Sequence, residues 1–396
     1  MEQREDGAST TTVVSYWALC KACLWLGLTC YGGPAMVGYV RDVMVERRRW
    51  VRPDEFAEGL ALCQIIPGAT LTQVISYIGL VLKGPSGAAL AAAAFILPGA
   101  LIVIAISALY FRWHTLPLVT SLSRGVGAVI IGLLAYASLK LAKSTFSSIT
   151  SYPIAAAACA AYLLGANAFL VALGAAGLAW MMRARQGHVA LGAPARAAVR
   201  SVRPRNWAAL AAVGALGLTA VWLTAPALGR LCLAFAGIGS VAFGGGYSMV
   251  PLIQQQVVEK LGLLSIQSFL DGIALGQITP GPIMLTATFV GYAAAGPIGA
   301  LAATAAIFSP SWVILVATAP RFRVWTRRAA VQVMIQGVVA SFVGMLLSVL
   351  IRFGAVTLVD VSSALVAMAA FIALWCGAAL PIVVAAGLLL SPVVFR

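Results

Sequence analysis

Charge is scarce in this chain. Of its 396 residues only 9% are Asp, Glu, Lys or Arg, against 62% hydrophobic. A soluble globular domain carries roughly 25% charged residues, so a fold built around one water-facing surface is excluded. Acidic residues are scarcer still: there are 11, and none lies between Glu58 and Glu259. Only two histidines occur, His114 and His188, both in polar connections, which excludes a histidine-based metal or catalytic cluster. No GxxxxGK[ST] stretch is present, so ATP hydrolysis within the chain is not expected. The seven cysteines are scattered through apolar stretches. Cys20 and Cys23 form a CxxC without a second ligand pair, and small apolar packing residues are the default reading. The alternation of ~10-residue strands that marks a membrane β-barrel is missing. The opening MEQREDGASTTT lacks the basic region expected of a cleaved signal peptide.

What fills the chain instead is uncharged apolar sequence in long blocks: 86–111, 144–182, 207–229, 231–258, 272–320 and 329–351. A transmembrane helix needs ~20 such residues, and 272–320 holds two. The net charge of +15 is concentrated in Arg41–Arg52, Arg183–Arg205 and Arg321–Arg328, between the apolar blocks. That is the positive-inside pattern of cytoplasmic loops, not a nucleic-acid-binding surface. The expected environment is a lipid bilayer, with no nucleic-acid partner and no cofactor.

The chain repeats itself. YGGPAMV (31–37), VERRRW (45–50), FAEGLALCQIIPGA (56–69), YIG (77–79) and KGPSGA (83–88) are matched in order by FGGGYSM (243–249), VEKLGL (258–263), FLDGIALGQITPGP (269–282), FVG (289–291) and AGPIGA (295–300). Glu46 pairs with Glu259, Glu58 with Asp271, Gln64 with Gln277 and Pro67-Gly68 with Pro280-Gly281. Three segments follow: a first copy at 1–182, a basic linker at 183–206 and a second copy at 207–396. The fold expected is an all-α polytopic membrane protein of about 10–13 transmembrane segments, in two homologous repeats with broken helices. Residues 152–182 hold either one tilted helix or two short ones split near Gly165, and 207–224 adds a helix ahead of the second copy. The loop at 41–52 has five arginines, while its mate at 253–266 has only Lys260 beside Glu259. That asymmetry suits inverted repeats, yet a simple count of crossings cannot put every basic loop on one side.

Two features carry the chemistry. Both acidic residues in the core of the second copy, Glu259 and Asp271, have mates in the first, Glu46 and Glu58. Ionisable groups near a bilayer are costly and usually functional, so these four are candidates for proton coupling; the alternative is that they face water beside Arg47–Arg49. The second feature is a set of backbone breaks. Proline interrupts the helix ladder, and unpaired amides at membrane depth survive only where they are buried or line a cavity. A helix that restarts after such a break aims free N–H groups into the gap, as an anion site requires. The breaks are Gly32-Gly33-Pro34 and Gln64-Ile-Ile-Pro67-Gly68 in the first copy. In the second they are Phe243-Gly244-Gly245-Gly246 and Gln277-Ile-Thr279-Pro280-Gly281-Pro282. Paired breaks in corresponding positions point to a transporter's substrate site; the alternative is kinks used for packing. Arg41 is a candidate for neutralising an anion at the cytoplasmic mouth, or else an anchor of topology.

The stretches YGGPAMVGYVRDVMVERRRWV, EGLALCQIIPGA, FGGGYSMVP and DGIALGQITPGP resemble the chromate ion transporter family, whose members carry FGGP-type and PGP-type motifs in each copy. The likeness covers residues 20–110 and 230–320. It departs at Tyr31, where the second copy has Phe243, and at Ala69, where it has Pro282. The resemblance implies a secondary transporter in a bacterial inner membrane that exports chromate, with sulfate-like oxyanions as analogues; proton-coupled oxyanion uptake is the alternative. A homodimer is compatible with the sequence, and no enzymatic activity is expected.

Overall fold

The computed structural model describes residues 14–31, 36–113, 117–146, 149–184, 225–243, 246–321 and 329–394. Among them are fourteen α-helices and no strand beyond one isolated bridge. In the first copy these are α1 (Tyr16–Thr29), α2 (Val37–Arg41, continued by a π turn, Asp42–Arg47), α3 (Pro53–Ile65), α4 (Thr70–Trp113), α5 (Pro117–Thr145), α6 (Ser151–Leu163) and α7 (Ala168–Ala184). The second copy repeats them as α8 (Pro226–Val241), α9 (Met249–Gln254, continued by a π turn, Gln255–Lys260), α10 (Ile266–Ile278), α11 (Thr286–Thr318), α12 (Ala329–Thr357), α13 (Val361–Trp375) and α14 (Leu380–Val394). The expected all-α architecture of two homologous halves with broken helices is observed. The 152–182 stretch is two helices, split at Gly165, where φ is +87°. The expected helix at 207–224 and the linker at 185–206 lie outside the described residues.

The broken segments double back on themselves. α4 folds at Gly84 (φ +71°), so that its first arm, 70–83, lies against its second: Ser76 Oγ donates to Ala88 O at 3.0 Å. α11 folds likewise at Ala295-Gly296, where Thr288 and Thr304 share a hydroxyl hydrogen bond of 2.7 Å. In each copy the first arm also packs on the short helix before it, Tyr77 on Gly59 of α3 and Phe289 on Gly272 of α10. Thus α3 with the first arm of α4, and α10 with the first arm of α11, are re-entrant hairpins with tips at Pro67-Gly68 and Pro280-Gly281. Their second arms are the long apolar spans.

The two copies are inverted. α1 runs parallel to the second arm of α4, since Tyr16 meets Ser86 and Gly27 meets Phe95 and Pro98. Residues 14, 84 and 53 therefore share one end of the bundle. Arg52 caps α3 ahead of Pro53, with its N–H donating to Glu55, which puts the arginine-rich loop there too; it is the basic end. The far end of α4 carries Tyr110, which bonds Asp271 at the base of the second hairpin. The first hairpin enters from the basic end and the second from the far end. α12 climbs beside α6, with Gly344 against Ala155 and Ser348 Oγ donating to Cys159 O, and α7 descends, with Ala175 and Ala179 against Gly337. α7 and α11 thus both finish at the basic end, so all three basic stretches begin on one side. The conflict left by counting crossings disappears because re-entrant arms consume no crossing.

The halves are also exchanged. α6 and α7 pack on α12 of the other copy, while α13 and α14 pack on α5 of the first. Among the described residues four helices, Thr70–Trp113, Ser121–Thr145, Ile283–Thr318 and Val331–Thr357, are long and apolar enough to cross a bilayer. The shorter apolar helices α6, α7, α13 and α14 cover them as two hairpins. Glycine lets the helices approach closely, as small residues do in membrane bundles: a Cβ on Gly132 would lie 2.3 Å from Ala367 O, and one on Gly344 would lie 2.0 Å from Ala155 O.

Candidate functional site

The hairpin tips interlock between copies. Gly68 N donates to Ala242 O at 2.7 Å, and Gly281 N donates to Cys30 O at 2.8 Å. Each glycine sits at positive φ, +131° and +117°, which a side-chain-bearing residue adopts only with strain. The tip of α3 and α4 therefore meets the break after α8, and the tip of α10 and α11 meets the break after α1. Tyr31 forms the isolated bridge with Gly281. Gly32, Gly33 and Pro34, with Gly244 and Gly245, lie outside the described residues, but their flanks Tyr31, Phe243 and Gly246 are at this crossing. Gly246 packs on Ile283, just beyond Pro282.

The long spans close around the tips. Ser311 of α11 lies against Gly68, and Gly99 of α4 lies against Pro280 O. These two contacts are repeat mates. The crossing carries no carboxylate and no basic side chain: no Asp, Glu, Lys, Arg or His occurs in 28–36, 64–73, 240–250 or 277–286. Polarity comes from backbone ends and buried amides. Thr70 and Thr286 open helices whose N-termini start at the tips, and such ends favour negative charge. Gln73 Nε2 donates to Pro67 O at 2.6 Å, holding the first tip, while its Oε1 has no partner. Gln277 is buried and its Nε2 has no partner; Thr72 Oγ1 is in the same condition. A buried donor left without an acceptor costs about 1–3 kcal/mol, and an oxyanion oxygen would satisfy it. Thr279 is spent on its own helix, donating to Gly276 O.

The remaining expected residues lie elsewhere. Arg41 and Glu46 pair with each other at 3.1 Å, about half exposed, at the basic end. Glu58 is half-buried on α3, whereas its mate Asp271 is buried on α10. Tyr110 Oη donates to Asp271 Oδ2 at 2.7 Å, and Gln267 reaches Oδ1 at 3.3 Å. Glu58 is level with residues 88–91 of α4 and Asp271 with residue 110, a separation of roughly 30 Å along the helix axis. The two carboxylates thus sit at the bases of opposite hairpins and not at the crossing. Glu259 accepts from Arg352 and from Gln254 Nε2 at the far end. Gln64 is exposed while Gln277 is buried.

Sequence reasoning missed Gln73, Tyr110 and Arg352. Arg352 had a signal: it is the one charge in residues 329–359. Gln73 had a weaker one, a lone amide in an apolar run beside a break. Tyr110 had none, because its role depends on a contact 161 residues away.

Two inverted copies whose re-entrant tips cross at mid-depth form the architecture of a membrane transporter. The comparisons fix which kind. The profile of the chromate transporter family matches residues 17–181 and again 229–391, so the chain belongs to that family. It is 30% identical to an uncharacterized transporter of Methanocaldococcus jannaschii, over 95% of this chain and 92% of that one. It is 31% identical to a chromate transport protein of Cupriavidus metallidurans, over 87% and 84% of the two chains. The identity to a chromate transport protein of Pseudomonas aeruginosa is 32%, over 91% and 86%. No solved structure matches the chain.

Proposed function

We propose that the chain exports chromate or a related oxyanion across the bacterial inner membrane, lowering chromate toxicity to the cell. The observation that carries this reading is the crossing itself: a carboxylate-free junction with two helix N-termini and the unpartnered amide of Gln277. An oxyanion needs N–H donors and no competing negative charge, and this junction meets both needs. The relatives named as chromate transport proteins support chromate as the ion. Gly32, Gly33, Pro34, Gly244 and Gly245 belong to the same proposed site by their place in the repeats.

Charge favours that direction. With the basic end in the cytoplasm, a dianion leaving an inside-negative cell gains about 4.6 kcal/mol at 100 mV. Export can run on that potential alone. A second reading, proton-coupled oxyanion uptake, is favoured by Asp271, a buried carboxylate linked to Tyr110 and Gln267. In it Asp271 and Glu58 carry the proton, with Glu46 and Glu259 at the two mouths.

Everted vesicles test both. Under export, energised everted vesicles accumulate labelled chromate, and substitution of Pro280 or Gly281 abolishes this without loss of protein. Under uptake, cells expressing the chain become more sensitive to chromate. Movement of sulfate or molybdate but not chromate would sink the ion assignment and leave the transporter standing.

A further inference from the structure

We propose that Glu46–Lys140 and Glu259–Arg352 are alternative ion-pair gates at opposite ends, and that this structure has the far gate shut and the basic gate open. The inference deepens the transport reading by naming the residues that close each side.

The repeat register identifies the pairs. Gly132 seats on Ala367 and Phe371 as Gly344 seats on Ala155 and Cys159, a constant offset of 212 residues. The π turns Asp42–Arg47 and Gln255–Lys260 match at 213. On that register Lys140 is the mate of Arg352, and Glu46 is the mate of Glu259. Each end therefore holds a base on a long span and an acid on a π turn.

Only one pair is made. Arg352 donates to Glu259 and to the carbonyls of Tyr162 and Leu163, at 2.9 and 2.7 Å, tying α9, α6 and α12 together. At the basic end Glu46 is paired with Arg41, and Lys140 lies over the ring of Tyr136. Packing differs in the same sense. α9 rests on α12 and α7, and α10 rests on α5 and α14; among the described residues α2 and α3 have no packing of that extent on α5, α14, α12 or α7. On α10, Leu270, Ala274 and Gln277 are buried; their mates on α3, Ala57, Ala61 and Gln64, are exposed. Lipid does not account for the open face of α3, because Asp54 and Gln64 lie along it and polar groups in lipid are costly. The face lines water at the basic end. Exchanging the conformations of the two copies buries this face, brings Glu46 to Lys140 and parts Glu259 from Arg352, which is alternating access between inverted repeats.

The test uses the full chain in membranes, with the seven native cysteines replaced and transport first confirmed. Q64C is labelled with a membrane-impermeant maleimide from the basic end. E259Q and R352Q loosen the far gate, so they should slow labelling. E46Q and K140Q disable the basic gate and should speed it, whereas E46D and K140R should behave as the parent does. E46C/K140C and E259C/R352C should each form a disulfide that stops transport until reductant is added. If the four neutral variants leave labelling alike, or if E46C/K140C never cross-links in a protein that transports, the gates are refuted. Labelling and cross-linking report on the gates whichever anion moves, so a wrong ion and a wrong gate give different results.

Discussion

The contact between Gly99 and the second tip makes a sharp prediction. Gly99 lies within a regular helical stretch of α4, where alanine is intrinsically better than glycine by ~1 kcal/mol. Propensity alone therefore predicts that Gly99→Ala stabilises the protein. The structure predicts the reverse. A Cβ at position 99 would lie 2.3 Å from Pro280 O, and real Cβ atoms essentially never come within 3.0 Å of a neighbour, so helix and tip must part by at least about 0.7 Å. The obstacle is a backbone carbonyl next to Gly281, whose N–H holds Cys30 O. Overpacking of this kind costs about 1–3 kcal/mol, enough to cancel the gain in propensity. Displacement of the tip should reduce transport far more than it reduces folding. The assay pairs labelled-chromate uptake into everted vesicles with detergent-solubilised thermal unfolding. Gly177→Ala is the control, since nothing lies within 4 Å of its added Cβ; it should transport normally. If G99A transports as well as G177A does, the tip is not held where substrate passes.

Three further outcomes follow from other parts of the fold. Replacing Gln277 by Leu removes an amide whose Nε2 is unpartnered at rest, so unfolding should be unchanged or shifted upward by about 1 kcal/mol while the KM for oxyanion rises. A reporter active only outside the cytoplasm, fused after α14, should be active, and the same reporter inserted in Arg47–Arg52 should be silent. Asp360 caps α13 by accepting from Ser363 N at 2.6 Å, which holds its carboxyl below the ordinary carboxylate range. A depressed folded-state value means the contribution is present above the unfolded carboxylate pKa and lost as pH falls through the folded one. Hydrogen exchange in the first turn of α13 should therefore rise on acidification in the parent and show no such rise in D360A.

Much of this was legible from residues. The repeat alignment located all four breaks, because glycine and proline in an apolar run are needed for backbone geometry and leave a direct mark. It also showed that the arginine-rich loop and its mate differ, as inverted copies would. What the residues did not reveal was that the segments return to the side they came from. In sequence, Gly84 and Gly296 look the same whether the chain turns back or simply ends a helix, and the Ser76–Ala88 and Thr288–Thr304 contacts show the reversal. The crossed pairing of tips, Gly68 with Ala242 and Gly281 with Cys30, joins residues over 170 positions apart, and no local pattern encodes it. The matched carboxylates were found by composition, yet sequence symmetry hid their inequality: Asp271 is enclosed and Glu58 is not.

The exchange of helix pairs between the halves has a consequence for origins. Neither copy can cover its own long span, since α12 needs α6 and α7, and α5 needs α13 and α14. A single ancestral copy could have folded only as an antiparallel pair, with one polypeptide inserted each way up in the same bilayer. Such a chain must be indifferent to orientation, with its basic residues evenly balanced. Here the balance is gone: five arginines hold the first copy to one side, while the mate loop keeps a single lysine. With both copies in one chain, each half can carry its own orientation signal, and the two ends of the pathway need not be alike.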